Sequence, residues 1–179
     1  MRKIFPLIAI LVIAAWTISA RAANMTFMTV TSTKQGQFKG EAANREQKGA
    51  IMVLGFAMEM DAPRDPASGM PTGRRVHKPV VITKDLDSSS PQFFQAAAGN
   101  ETLKTVVIEF ARSDPRGLET VYYKVTLTNA NIASLKQFTA DSASGRAGAP
   151  LEEISLTFQK IEVESVTGKT TAQDDWLSK

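Results

Sequence analysis

The chain has 179 residues, 43% of them hydrophobic and 22% charged, with no cysteine, a composition that is typical of one globular domain. Collagen-like, coiled-coil and disulfide-stabilised chains are thereby excluded. Removing Arg2, Lys3 and Arg21 from the 21 basic residues leaves 18, equal to the 18 acidic residues, so the charge of the remaining chain predicts no nucleic-acid partner.

The first 22 residues have the pattern of a secretory signal peptide. Its three zones follow one another as Arg2-Lys3, an apolar run over residues 4–18, and the small residues of Ala20-x-Ala22. The apolar run is shorter than the roughly 20 residues that span a bilayer. We therefore expect cleavage between Ala22 and Ala23, export of residues 23–179 as one domain, and no stable membrane insertion. An uncleaved anchor and a translation start at Met25 are the alternatives.

After this segment, apolar side chains recur mainly with period two, which predicts a β protein. The strand candidates, in chain order, are residues 51–60, 80–83, 105–110, 121–127, 132–135 and 154–163. Pro and Gly within residues 113–117 predict a turn that joins the third and fourth candidates as a hairpin.

The strand candidate over residues 51–60 is apolar on both faces. One face carries Ile51, Val53 and Ala57, and the other carries Met52, Leu54, Phe56, Met58 and Met60. A lone protomer would leave one of these faces in water, as a larger apolar patch than soluble monomers usually have. We therefore predict that Ile51, Val53 and Ala57 form a subunit interface, which a charge at Val53 would break without unfolding the protomer.

The strand candidate over residues 154–163 changes parity along its length. Ile154, Leu156 and Phe158 share one face, whereas Ile161 and Val163 fall on the opposite one. Either a β-bulge near residues 159–160 resets the alternation, or a second surface covers the end of the strand.

One short helix is predicted between the second and third strand candidates. Ser90 is its expected N-cap, Pro91 its first residue, and Gly99 the residue just past its end. Because so short a helix is not stable alone, Phe93, Phe94 and Ala97 are expected to pack on the sheets.

Two segments lack periodicity and are predicted to be loops, residues 61–76 and 140–150. The first is rich in Pro and Gly, and its length is typical of a functional or disordered loop. Arg74 and Arg75 lie at the end of this loop, next to the single histidine of the chain, His77.

Few kinds of enzyme are compatible with this chain. A nucleophilic site would have to use His77, whose basic neighbours are more typical of a solvated or phosphate-binding patch, and no G-x-S-x-G motif is present. The paired carboxylates have the spacing of solvent faces and polar turns. We therefore predict no catalytic residue, no cofactor and no metal site.

Several segments, taken in order, resemble the haemolysin co-regulated protein (Hcp) family, which forms the tube of bacterial type VI secretion systems. The matching segments are residues 39–41, 48–56, 78–96, 118–130, 151–162 and 174–176. The most specific are Thr83-Lys84 with the Ser90-Pro91 helix start, and the Leu151-Glu-x-x-Ser-Leu-x-Phe-x-Lys-Ile-Glu162 strand.

This resemblance implies a small β-barrel of two antiparallel sheets with one short helix. It also implies a hexameric ring that stacks into a tube, effector proteins as cargo in the lumen, a spike protein and a sheath as partners, and no enzymatic activity. Arg74 and Arg75, at the end of the long loop, join the candidate interface.

The predicted signal peptide departs from this family, whose tube assembles in the cytoplasm. An exported protein would not meet the sheath. The alternative function is therefore an exported Hcp-like binding module that acts outside the cytoplasm without a sheath.

Overall fold

The computed structural model describes residues 24–43, 47–113, 118–139 and 148–177. The predicted signal peptide with its Ala22–Ala23 cleavage site, most of the 113–117 turn and most of the 140–150 loop lie outside these residues. Within the described part of the chain, no helix has the length and apolar character needed to cross a membrane.

The described residues form eleven strands and one helix. In chain order these are β1 (Asn24–Ser32), β2 (Ile51–Val53), β3 (Gly55–Ala57), β4 (Met60–Asp61), β5 (Val76–His77), β6 (Val80–Asp85), α1 (Ser90–Ala98), β7 (Leu103–Ser113), β8 (Glu119–Thr139), β9 (Pro150–Thr157), β10 (Lys160–Ser165) and β11 (Thr170–Asp175).

Two antiparallel sheets share the long strand β8, and the fold class predicted above is confirmed. The first half of β8 pairs with β7 and β10, so the first sheet has the order β2-β1-β7-β8-β10-β11. The second half pairs with β9, and the second sheet has the order β8-β9-β6-β3. The end strands β2 and β3 are joined through Leu54, whose N–H donates to the Thr83 carbonyl at 2.8 Å. The strands β2 and β3 do not pair with each other, so the sheets do not form a closed barrel. The chain at Leu54 connects them at this edge.

Besides the link at Leu54, the chain passes from one sheet to the other at two points that are bonded to each other. In β8 the crossing follows Asn129, which has a left-handed φ of 50° and donates from Nδ2 to Gln159 Oε1 at 2.9 Å. The second crossing separates β9 from β10 at residues 158–159. Phe158 and Ile161 are both buried because the strands on either side of this break belong to different sheets. The parity change thus reflects a second covering surface rather than a bulge within one strand.

The buried face of helix α1 packs into the hydrophobic core, with Phe93 fully buried and edge-on to Phe38 at a centroid distance of 4.9 Å. The N-cap is Ser89 rather than the predicted Ser90. The prediction that Phe94 packs on the sheets is wrong, because this side chain is 62% exposed. Ser90, Phe93 and Ala96 are spaced by three residues and form the buried face, and Phe94 is turned about 100° away from Phe93.

At β2 the two apolar faces are the reverse of the expected arrangement, whereas Ala57 in β3 is exposed as expected. Ile51 and Val53 are 0% and 8% exposed and belong to the core, where Ile51 is paired with Met28 on β1. Met52 on the opposite face is 48% exposed. A charge at Val53 would therefore be placed inside the protomer, so the expectation that it would leave the fold intact is corrected.

Candidate interaction surface

A fully buried lysine connects α1 to the second sheet. Lys84 on β6 donates from Nζ to Asp87 Oδ1 at 2.8 Å and to Ser90 Oγ at 2.9 Å. Its Nζ lies 3.1 Å from Oε2 of Glu152, an equally buried residue on β9. A buried charge requires such partners because leaving water is costly. The Thr83-Lys84 and Leu151-Glu152 segments are therefore structural, and they hold the helix in place.

The segment over residues 39–41 lies beside the same helix. The Lys39 N–H donates to Gln92 Oε1 at 2.7 Å, and the Glu41 carboxylate accepts from the Ser88 N–H at 2.9 Å. Gly40 has no room for a side chain, since an added Cβ would lie 2.0 Å from the Ala50 carbonyl oxygen. This close approach explains a glycine between Lys39 and Glu41.

Glu101, just after α1, is a buried carboxylate that sequence reasoning missed. It accepts hydrogen bonds from the N–H groups of Lys34 and Gln35 at 2.6 and 3.1 Å, and from Gln35 Nε2 at 3.0 Å. Burial opposes ionisation, but the bonds from Gln35, Ser32 and Lys34 prevail and lower the pKa of Glu101 to about 2. The carboxylate stabilises the turn after β1 by attaching it to the end of the helix.

A second charged cluster attaches the end of the long loop to the C-terminal hairpin β10–β11. The Arg75 guanidinium donates to both carboxylate oxygens of Asp174, and His77 Nε2 lies 2.8 Å from Asp174 Oδ2. The hydrogen bonds from Arg75 and His77 hold the pKa of Asp174 well below its usual range, although burial opposes the shift. The His77 ring also packs edge-on against Phe158 and Trp176, at 5.5 and 5.7 Å.

The loop between β4 and β5 is an ordered hairpin at its base and at its tip. At the base, Met60 pairs with His77 and Asp61 with Val76. Near the tip, Asp65 Oδ1 accepts from the Ser68 N–H at 2.6 Å. Almost every residue from 58 to 76 is exposed. The loop thus presents a large solvent-facing surface while both of its ends are held by neighbouring strands.

The exposed large apolar side chains of the described surface fall into two groups, apart from Met70, Val76, Leu118, Trp176 and Leu177. The first, which we name the apolar strip, comprises Met52, Leu54, Met58 and Met60, each at least 42% exposed. The second, the helix patch, comprises Leu86, Pro91 and Phe94, which line one wall of a shallow pocket of about 640 Å³. Exposed apolar residues grouped in this way mark surfaces that contact other proteins.

The five residues predicted for the subunit interface do not form one surface. Ala57 and Arg74 are exposed, as predicted for a contact surface. Arg75 is bound to Asp174 within the protomer, and Ile51 and Val53 lie in the core. The exposed apolar residues of the same strand region are those of the apolar strip, and the interface itself stays a prediction.

Three comparisons with known proteins agree with one another. The sequence profile of the family described as "Type VI secretion system effector, Hcp" matches residues 27–164. A Pseudomonas aeruginosa protein named "Major exported protein" is 38% identical over 167 residues, which span 87% of this chain and 97% of that protein.

Solved structures share the fold. The Hcp1 protein from E. coli EAEC 042 matches with a TM-score of 0.76 and 25% identity, over 86% of this chain and 99% of that one. The secreted protein Hcp3 from Pseudomonas aeruginosa matches with a TM-score of 0.70 and 30% identity, over 87% and 100% of the two chains. The resemblance noted in the sequence is thereby confirmed along nearly all of the described residues.

Proposed function

This chain belongs to the Hcp family of type VI secretion system proteins. We propose that it is a structural subunit and that six copies of it assemble into a closed ring. Proteins of this family form oligomeric rings in type VI secretion, and the family is one of tube proteins rather than enzymes. The ring stacks into a tube, its lumen carries effector proteins, and a spike protein and a sheath are its further partners.

The apolar strip is the observation that carries the proposal. Met52 and Leu54 are 48% and 42% exposed although they belong to the strand region that joins the two sheets. An apolar surface is stabilised more by contact with a second copy of the protein than by contact with water. In a ring, the strip of each protomer meets a different surface of the next protomer, with Ala57 and Arg74 beside the contact.

Assembly is expected to depend on the apolar character of Met52. Met52→Glu should convert the hexamer into protomers with an unchanged circular dichroism spectrum, because it places a charge in the contact but not in the core. Met52→Leu is the matched control and should keep the ring. Sedimentation velocity of residues 23–179 over a concentration series measures both results. Wild-type protein that stays monomeric at high concentration, or Met52→Glu protein that still forms rings, would contradict the proposed interface.

Export through a cleavable signal peptide is the second part of the proposal. It is supported by the basic residues, the 4–18 apolar run and the small residues before Ala23. Relatives are described as exported and secreted, which is in keeping with a final location outside the cytoplasm.

Intact mass and N-terminal sequencing of protein from cell fractions test this route. The periplasmic or extracellular form is expected to begin at Ala23. Retention of Leu7 in that form, or a wholly cytoplasmic protein beginning at Met25, would contradict export by cleavage. Processed protein that forms no rings would favour the exported binding module over the tube subunit.

A further inference from the structure

His77, the single histidine of the chain, has one ring nitrogen without a hydrogen-bond partner in the described part of the chain. His77 Nε2 is bonded to Asp174 Oδ2 at 2.8 Å, whereas Nδ1 is buried and has no hydrogen-bond partner among the described residues. The side chain is 9% exposed. A buried polar atom without a partner costs roughly 1–3 kcal/mol. In the tautomer whose Nε2–H donates to the Asp174 carboxylate, Nδ1 carries a lone pair.

Two methionines line a pocket together with this histidine. Met60 on β4 is directly opposite His77 on β5, and side chains opposite one another in such a pair have Cβ atoms about 5 Å apart. Met58 and Met60 line, with His77, one pocket of about 250 Å³. The remaining wall is largely apolar and is formed by Ile161, Val163 and Ala172 together with Gln173 and Asp174.

We propose that this pocket is a binding site for a soft monovalent metal ion, Cu⁺, with Met58 Sδ, Met60 Sδ and His77 Nδ1 as ligands. Thioether and imidazole groups select Cu⁺ over hard cations, which prefer oxygen ligands. Metal-binding histidines commonly donate their second ring N–H to a carboxylate, and Asp174 has this position relative to His77. Arg75 balances the charge of Asp174, so the carboxylate orients the ring and adds little net attraction for other cations.

Packing alone accounts for the two methionines but not for the unsatisfied nitrogen. Met often lines apolar pockets, but its packing does not explain why a neighbouring histidine has a buried nitrogen without a partner. The described residues include no group of three His, Asp or Glu side chains able to hold a metal, so a divalent-metal site of that kind does not compete for His77. The pocket lies within one protomer, although Met58 and Met60 also belong to the apolar strip.

Ag⁺, a redox-inert substitute for Cu⁺, tests the site in residues 23–179 carrying ¹³C-methyl methionine. One equivalent of Ag⁺ in chloride-free buffer should shift the methyl resonances of Met58 and Met60 and then saturate. Met52 and Met70, which are 48% and 65% exposed and do not line this pocket, are internal controls and should not shift. No shift at all, or shifts of all exposed methionines together without saturation, would overturn the proposal.

Competition with the Cu⁺ chelator bicinchoninate under anaerobic conditions measures affinity. Met60→Leu keeps the side-chain volume and should weaken Cu⁺ binding at least about tenfold, as should Asp174→Asn through loss of the ring orientation. Met52→Leu should bind like wild type. Equal affinities of Met60→Leu and Met52→Leu, in proteins with the same circular dichroism spectrum, would overturn the assignment of ligands.

Discussion

Lys84→Met is expected to lower the free energy of unfolding by about 3–5 kcal/mol, because it leaves the buried Glu152 carboxylate without its cationic partner. Glu152 would keep the bond from Gln137 Nε2 at 2.8 Å, which does not neutralise its charge. Ser90 and Asp87 would also lose the Lys84 Nζ donor. Urea denaturation of wild type and variant at the same protomer concentration measures the loss.

The double variant Lys84→Met/Glu152→Gln separates the charge from the packing. Removing both charges should restore part of the stability, since an apolar or neutral pair in place of a buried ion pair is often tolerated. Lys78→Met is the surface control. Lys78 pairs with Glu59 in exposed positions, so its loss should cost far less stability than the loss of Lys84. Equal costs for Lys84→Met and Lys78→Met would mean that the buried ion pair does not secure α1.

Several of the segments that identified the family in the sequence serve the protomer rather than a partner. Gly40 is required by the neighbouring Ala50 carbonyl, Lys84 and Glu152 form a buried pair, and Asp174 holds Arg75 and His77. Strand periodicity and turn residues were enough to predict most strands. The charged contacts join residues up to 99 positions apart in sequence, and no local pattern indicates such pairs.

The burial of the 51–60 region is the clearest limit of sequence reasoning here. Both faces are apolar, so hydrophobic alternation cannot decide which one faces the core. The decision depends on pairing with β1, where Ile51 lies opposite Met28. The chain passes from the first sheet to the second at Leu54, and Met52 and Leu54 are exposed there. The surface available for assembly is therefore the face that carries the methionines.

From the sequence, both adjacent phenylalanines of α1 were expected to be buried. The structure instead predicts very different losses of unfolding free energy when each is replaced by alanine. Phe93→Ala should cost about 3–5 kcal/mol of unfolding free energy, because the ring is fully buried against Phe38 and its removal leaves a cavity. Phe94→Ala should cost less than about 1 kcal/mol, because the ring is 62% exposed and alanine favours the helix. Urea midpoints of the two variants, each with its m-value, make the comparison. Equal midpoints would require that α1 packs through Phe94, and the buried face of the helix assigned above would then be wrong.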